Sequence, residues 1–289
     1  MKKEPPALKS ESILRWIGKK ISKEPVTLFS LCSVFLILVC AVLGPLLAPY
    51  SYSEQDLLNI LSPPCGKYLL GTDQLGRDLL SRLLYGSGIS MFVAVTTSIT
   101  ALIVGTIYGA ISGYAGGRTD MVMMRIVDVI YSFPDLLLII LLTVVIGRGM
   151  TAIVIALSLV SWVSVARLVR GEVLRIKEEQ FVESAKAMGA GNVRILFRHI
   201  LPHTSGPLIV TLTFRIPAVI LAESTLSFIG LGVEPPKPSW GTLMRDGWAL
   251  MRFNPHMIIF PALAITLTML AFNFLGDGLR DMLDPRKVK

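Results

Sequence analysis

The chain has 289 residues, 53% of them hydrophobic and only 17% charged, with a mean hydropathy of +0.64, whereas a soluble domain is about one quarter charged. This composition excludes an ordinary soluble domain and predicts an integral membrane protein. The formal net charge of +8 calls for no nucleic acid, since no basic patch is interleaved with stacking aromatics and an anionic inner leaflet answers basic residues at span ends.

A helix crosses the hydrocarbon core with roughly 20 mostly apolar residues, because lipid offers no partner for an unpaired backbone group. Six runs meet this requirement, at residues 26–48, 88–112, 129–147, 150–169, 207–231 and 257–276. None alternates as a barrel strand would. The expected fold is therefore all-α: a six-helix transmembrane bundle over residues 26–289, behind a basic leader of residues 1–25. That leader is too long and polar for a signal-peptide n-region and the run after it outlasts an h-region, so the first span is read as retained. Within the leader, SILRWIGKKIS sets Ile13, Trp16, Ile17 and Ile21 along one side of an expected interfacial helix, with a disordered basic tail as the alternative.

Basic residues near span ends are held in the cytoplasm. With the N-terminus inside, twenty Lys and Arg fall on the inner side and seven on the outer, Arg215 lying within a span. Both termini and the connection 178–203 are thus expected inside, and the stretch after the first span outside. That stretch, GTDQLGRDLLSRLLYG from Gly71 to Gly86, spaces Leu75, Leu79 and Leu83 as one side of a helix, with Thr72 and Asp73 as candidate caps. Its two open readings are a docking surface presenting Asp73, Arg77 and Asp78, and a lid packed on the outer mouth of the bundle.

In the second span Gly105, Gly109 and Gly113 repeat the GxxxG spacing that brings helix backbones close, against another span of this chain or a companion chain. An ionised side chain at mid-bilayer costs roughly 2.5 kcal/mol or more unless it faces protein or water. Asp135 in the third span, with Arg215 and Glu223 in the fifth, are therefore candidates to line a central path. Arg215 and Glu223 are eight residues apart, about 80° around a helix, and border such a path without pairing directly; alternatively Arg215 snorkels and Glu223 pairs with a neighbour. Ser158 and Ser161, with Ser164 after them, recur every three residues in the fourth span, as path lining or as packing residues. Asp128 and Asp135, seven apart, share nearly one helix face and keep a membrane-embedded enzyme in view, although no GxGD signature accompanies them. Cys32, Cys40 and Cys65 form no CxxC pair, and the three histidines lie in no HExxH, so no metal centre is expected. No GxxxxGK[ST] loop or GxSxG elbow is found, and no catalytic residue is assigned.

The connection EEQFVESAKAMGAGNVRILFRHILPH, Glu178 to His203, is crowded with charge between two apolar runs. Phe181, Ala185 and Met188 fall on one face of a short helix, with Glu183 and Lys186 elsewhere. Gly189 is placed to end that helix, and a second amphipathic segment runs to Pro202, which is expected to interrupt it before the fifth span. Glu183, Ala185 and Gly189, with Leu201 and Pro202 after them, resemble the EAA loop of permease subunits in binding-protein-dependent ABC importers. Ser184 stands where that motif has its first alanine, Ala190 follows the glycine, and His199 takes the place of an isoleucine. FRHILP, GTDQLGRDLLSRLLYG, YSFPDLLL and ESTLSFIGLG extend the resemblance to the second permease subunit of the peptide and nickel branch.

The resemblance implies a multi-pass component of a bacterial cytoplasmic (inner) membrane. It pairs with a homologous permease, and its loop couples to two cytoplasmic ATPases that bind the ATP and magnesium; the chain itself carries no cofactor. An extracytoplasmic substrate-binding protein would meet the outer face, at Asp73, Arg77 and Asp78 if that stretch is the docking surface and not the lid. Short peptides are the expected cargo, with nickel or a nickel chelate as the alternative. An ion-driven carrier using Glu223 and Asp135 remains the reading from another class, although the inverted repeats it should show are not seen.

Overall fold

A computed structural model describes residues 24–283. The expected interfacial helix of the leader lies outside these residues. The fold is all-helical. Helix α1, Pro25–Leu47, opens with Pro25 in its first turn, where the missing N–H costs nothing. Residues 48–78 then run without a long helix, held by an isolated bridge between Thr72 and Asp78. Helix α2, Leu79–Ala115, is the longest single rod of the bundle, at 37 residues; at 1.5 Å per residue it reaches about 56 Å, well beyond the ~30 Å hydrocarbon core. The second span thus begins nine residues earlier than its apolar run, and the helix expected around Leu75–Leu84 is in part the first turns of α2. Its cap is Asp78, not Thr72 or Asp73: the Asp78 carboxylate accepts the Ser81 amide at 2.7 Å.

The third span departs most from expectation. Residues 129–147 do not form one rod: α3, Gly117–Tyr131, and α4, Asp135–Ile146, meet at an 84° bend. Pro134 stands at the break. It has no N–H to give, and its ring pushes the preceding Phe133 out of the helical region. Among the described residues five helices are long and apolar enough to cross a membrane, or six if the bent pair is one span.

Helix α5, Met150–Lys177, leads into the short α6, Gln180–Ala187. After Gly189 the chain coils again as α7, Asn192–Ile195, and passes through a wide turn at Leu196–Ile200 and a tight one at Leu201–Thr204 into α8, Ser205–Phe228. Pro202 therefore does not interrupt the coil as expected. The ladder is rerouted around the missing donor, with Leu201 N–H reaching back five residues to Leu196 O. Helices α9, Trp240–Leu250, and α10, His256–Leu283, complete the chain.

The broadest helix–helix interface joins α2 to α5. The glycine repeat makes it, so the partner left open by the sequence is a span of this same chain. A Cβ on Gly105 would lie 2.6 Å from the Val165 Cβ, and one on Gly113 would lie 3.0 Å from the Arg170 carbonyl oxygen. At Gly109 it would run into the Ala166 carbonyl oxygen. Lipid tails give apolar helices little reason to associate, so close backbone contact must hold this pair. Helix α2 also packs against α1 and α8, and α1 against α10.

Gly109→Ala is expected to destabilise the bundle by about 1–3 kcal/mol, the usual range for overpacking. A Cβ on Gly171 of α5 would meet nothing within 4 Å, so Gly171→Ala should be neutral or stabilising by up to ~1 kcal/mol. Denaturation of both variants in detergent micelles checks the pair; equal effects would disprove the packing assignment.

Candidate functional site

Three regions gather the candidate residues. The first is the connection around α6. Its exit from the helix is a two-bond glycine cap: Gly189, at φ +82°, donates to Lys186 O at 2.9 Å, and Ala190 donates to Ala185 O at 3.0 Å. That pattern requires a left-handed residue, which glycine adopts without penalty. Of Phe181, Ala185 and Met188, which share one face by spacing, only Ala185 is buried. Val182 and Ala185 are buried against Val169, Val173 and Ile176 of α5 and against Ile195, Leu196 and Ile200. Met188 is 81% exposed, because α6 has ended by then and its cap residue leaves the stripe. Phe181 lies at the edge, its ring 4.8 Å from that of His203. Glu183, Ser184 and Pro202 are exposed, while Ala190 and Leu201 are half-buried.

Two further side chains, missed in the sequence, tie this connection to α2. Tyr114 donates its hydroxyl to Asn192 Oδ1 at 2.9 Å, and Lys177 donates to the Tyr114 carbonyl at 2.7 Å. Neither has a local pattern that announces it. Met188, Val193 and Phe197, each more than half exposed, place three apolar side chains on the outer surface of the connection among the exposed Glu183, Lys186, Arg194 and Arg198.

The second region is a cavity of about 220 Å³ among the α3–α4 bend, α5 and α8. Asp135, Ser161 and Arg215 line it, as does Ser164. Arg215 Nη2 donates to the Ser161 carbonyl and, at 2.9 Å, to Ser164 Oγ. Ser158 and Glu223 do not line it. Ser158 Oγ is buried without a hydrogen-bond partner. Glu223 is fully buried and accepts from Ser227 at 2.7 Å, Ser90 at 3.3 Å and Ser224 at 3.5 Å. The 80° turn from Arg215 carries Glu223 out of the cavity and into the seam of α2, α8 and α9. There the amide of Trp240 donates to Ser90 Oγ at 3.2 Å, so backbone donors at the start of α9 reach the carboxylate through a serine.

The third region is the segment before α2. Asp73, Arg77 and Asp78 are all buried, at 1%, 6% and 3% exposure. Asp73 accepts from Arg77 Nε at 2.7 Å and lies 3.4 Å from Arg82 Nε, while Asp78 caps α2. Of the two readings left open, burial of these three leaves little surface for docking and suits the packed lid: they are spent within the chain, joining the segment to the rod. Farther out, Asp56 is met by Lys67 Nζ at 2.8 Å, Tyr68 Oη at 2.7 Å and Asn59 Nδ2 at 2.8 Å. The Lys67 ammonium, then the Tyr68 and Asn59 donors, hold the Asp56 carboxyl well below the usual carboxylate range, and Asp56 in turn raises Lys67.

A family model described as "Binding-protein-dependent transport system inner membrane component" matches residues 105–289, and one described as the N-terminal TM domain of oligopeptide transport permease C matches residues 14–64. The chain is 41% identical over 280 residues to the oligopeptide transport system permease protein of Bacillus subtilis (strain 168), covering 97% of this chain and 90% of that one. It is 44% identical over 269 residues to the dipeptide transport system permease protein of the same strain, with 93% and 84% covered. To the glutathione transport system permease protein of Escherichia coli O6:K15:H31 (strain 536 / UPEC) it is 41% identical over 271 residues, with 93% and 89% covered.

The Asp56 cluster sets a pH response. A carboxyl whose folded pKa lies below its unfolded value of about 3.9 stabilises the fold above that value and loses the contribution as pH falls below it. Hydrogen exchange of residues 54–70 should stay constant from pH 5 to 8, after correction for intrinsic rates, and rise below about pH 4. In Asp56→Asn the segment should be looser at neutral pH and lack that step.

Proposed function

The chain belongs to the family of binding-protein-dependent transport system inner membrane components, and from that membership we propose how it is oriented, driven and loaded. It is a permease subunit with no catalysis of its own; nucleotide and its metal lie with ATPase partners. Ion-driven transport and membrane-embedded catalysis, both open from the sequence, fall away with this membership. Asp128, one of the two acids of the enzymatic reading, is paired with Arg167 at 2.7 Å.

In the proposed orientation both termini are cytoplasmic, so the connection 178–203 faces the ATPases and residues 48–78 face outward. The observation that carries the coupling role is the glycine-capped helix pair that exposes three large apolar side chains on its outer surface. Met188, Val193 and Phe197 are exposed where a cytoplasmic ATPase would seat, while Val182 and Ala185 are buried on the end of α5. A push on α6 then passes by direct packing to α5, through Tyr114 and Asn192 to α2, and along the continuous coil into α8. Glu183, Ser184, Gly189, Ala190, Leu201 and Pro202 belong to this joint. ATP-driven closure of two ATPases would rock the spans of this chain and of a homologous permease between inward-open and outward-open states. An extracytoplasmic binding protein delivers the solute.

Short peptides are the proposed cargo, in keeping with the oligopeptide, dipeptide and glutathione permeases that resemble the chain. Nickel draws no support from the donor atoms: among the described residues no group of three or more His, Cys, Asp or Glu gathers to hold a metal. The proposed path runs past Asp135, Ser161 and Arg215.

Met188→Asp alters an exposed side chain and should leave the bundle intact. It is expected to lower co-purification of the ATPases, and peptide uptake by the reconstituted importer, by about tenfold, as loss of one buried apolar anchor implies. Gly189→Val, which forces a β-branched residue to positive φ, should do the same. Native-level ATPase retention in both variants would overturn the coupling role.

A further inference from the structure

Most charges at the level of the spans are answered within the chain. Asp128 meets Arg167, which also lies over the Tyr131 ring at 4.1 Å. Asp120 holds Arg170 through two bonds of 2.6 Å, and Glu223 is surrounded by serine hydroxyls. Asp135 and Arg215 are different. They line the same cavity, yet no ion pair within 4 Å joins them. Among the described residues no hydrogen bond or contact ion pair reaches the Asp135 carboxylate, which acts on Arg215 only through space, while the Arg215 guanidinium donates to neutral oxygens and its Nε has no hydrogen-bond partner.

Two opposite full charges thus share a concavity at membrane depth, close enough to act on each other through space yet without a contact ion pair. An ionised side chain facing hydrocarbon is costly, so the cavity must be wet or filled by something that answers both. We propose that it is a subsite for a dipolar solute, taking a carboxylate on Arg215 and an ammonium group on Asp135, as the two free ends of a short peptide present them. A guanidinium fork matches a carboxylate in shape as well as charge, and Ser164 holds that fork at the wall. At about 220 Å³ the cavity is smaller than the ~300–1,000 Å³ of a pocket that encloses a whole ligand. It therefore grips the two charged ends of a peptide as short as a dipeptide and leaves the side chains ungraded. This inference rests on the peptide-permease reading and goes beyond it: the permease itself, not the binding protein alone, screens for free termini.

The test is a double cycle of protein variant against blocked substrate. The assembled permease–ATPase complex, in nanodiscs without binding protein, is titrated with dialanine, its C-terminal amide and its N-acetyl derivative by saturation-transfer NMR. Losing one charge-assisted bond costs about tenfold or more in affinity. Amidation of the peptide and Arg215→Gln should each weaken binding by about that factor, and by no more when combined. N-acetylation and Asp135→Asn should form a second, independent pair; Asp135 is exposed, so this variant tests the subsite even if Arg215→Gln fails to fold. Penalties that multiply, variants without effect, or no binding of dialanine by the native complex would each overturn the subsite. Uptake of dialanine by the same complex with its binding protein separates the two readings: uptake without these couplings sinks the subsite alone, whereas absence of uptake for every short peptide sinks the peptide-permease reading.

Discussion

The backbone contact between α2 and α5 is the constraint on which the other features hang. Three glycines at four-residue spacing allow α5 to lie against α2 closely enough that any side chain at Gly109 would strike the Ala166 carbonyl. Lipid supplies almost no hydrophobic force between helices, so this dense packing holds the pair. Helix α2 then carries fittings at both ends. Asp78 caps its start, where the buried Asp73, Arg77 and Arg82 gather, and Tyr114 near its finish binds Asn192. Helix α5 supplies one wall of the cavity in its middle and the floor beneath α6 at its end.

Polar matching within the bundle follows a single rule with one exception. Where helices are meant to stay together, an acid finds a base or a set of hydroxyls: Asp120 with Arg170, Asp128 with Arg167, Glu223 with three serines. Each match answers a charge at the level of the spans with a partner on a neighbouring helix, from the fully buried Glu223 to the exposed Asp128–Arg167 pair. Asp135 and Arg215 break the rule inside one cavity, which sets it apart from the packed interior. The α3–α4 bend is what opens that space. A straight third span would have run Asp135 along its side, whereas the break at Pro134 puts it at the start of a new helix.

The cap at Gly189 was legible because it depends on neighbours in the chain: a positive φ and two backbone bonds over five residues need only glycine in the right place. The GxxxG spacing was legible as a close approach but not as to partner. The spacing of Phe181, Ala185 and Met188 gave one side of the helix but not what it meets: α6 ends before Met188, and burial is set by Val182 and Ala185 meeting α5. Asp73, Arg77 and Asp78 looked like surface residues of a polar stretch. Their burial arises from contacts with Arg82 and the first turn of α2, which charge patterns do not display.

By itself the sequence determined that this is an all-helical membrane protein, roughly where its spans lie, where its polar connection turns, and which residues carry charge into the spans. Those follow from length, hydropathy and local backbone chemistry, each a property of a few adjacent residues. Only the tertiary structure decided that Arg215 and Asp135 share a cavity while Glu223 turns away into serines, and that the glycine face belongs to α5. A helical period states the angle between two side chains, but what occupies each direction depends on helices distant in the chain, and their placement is a result of packing.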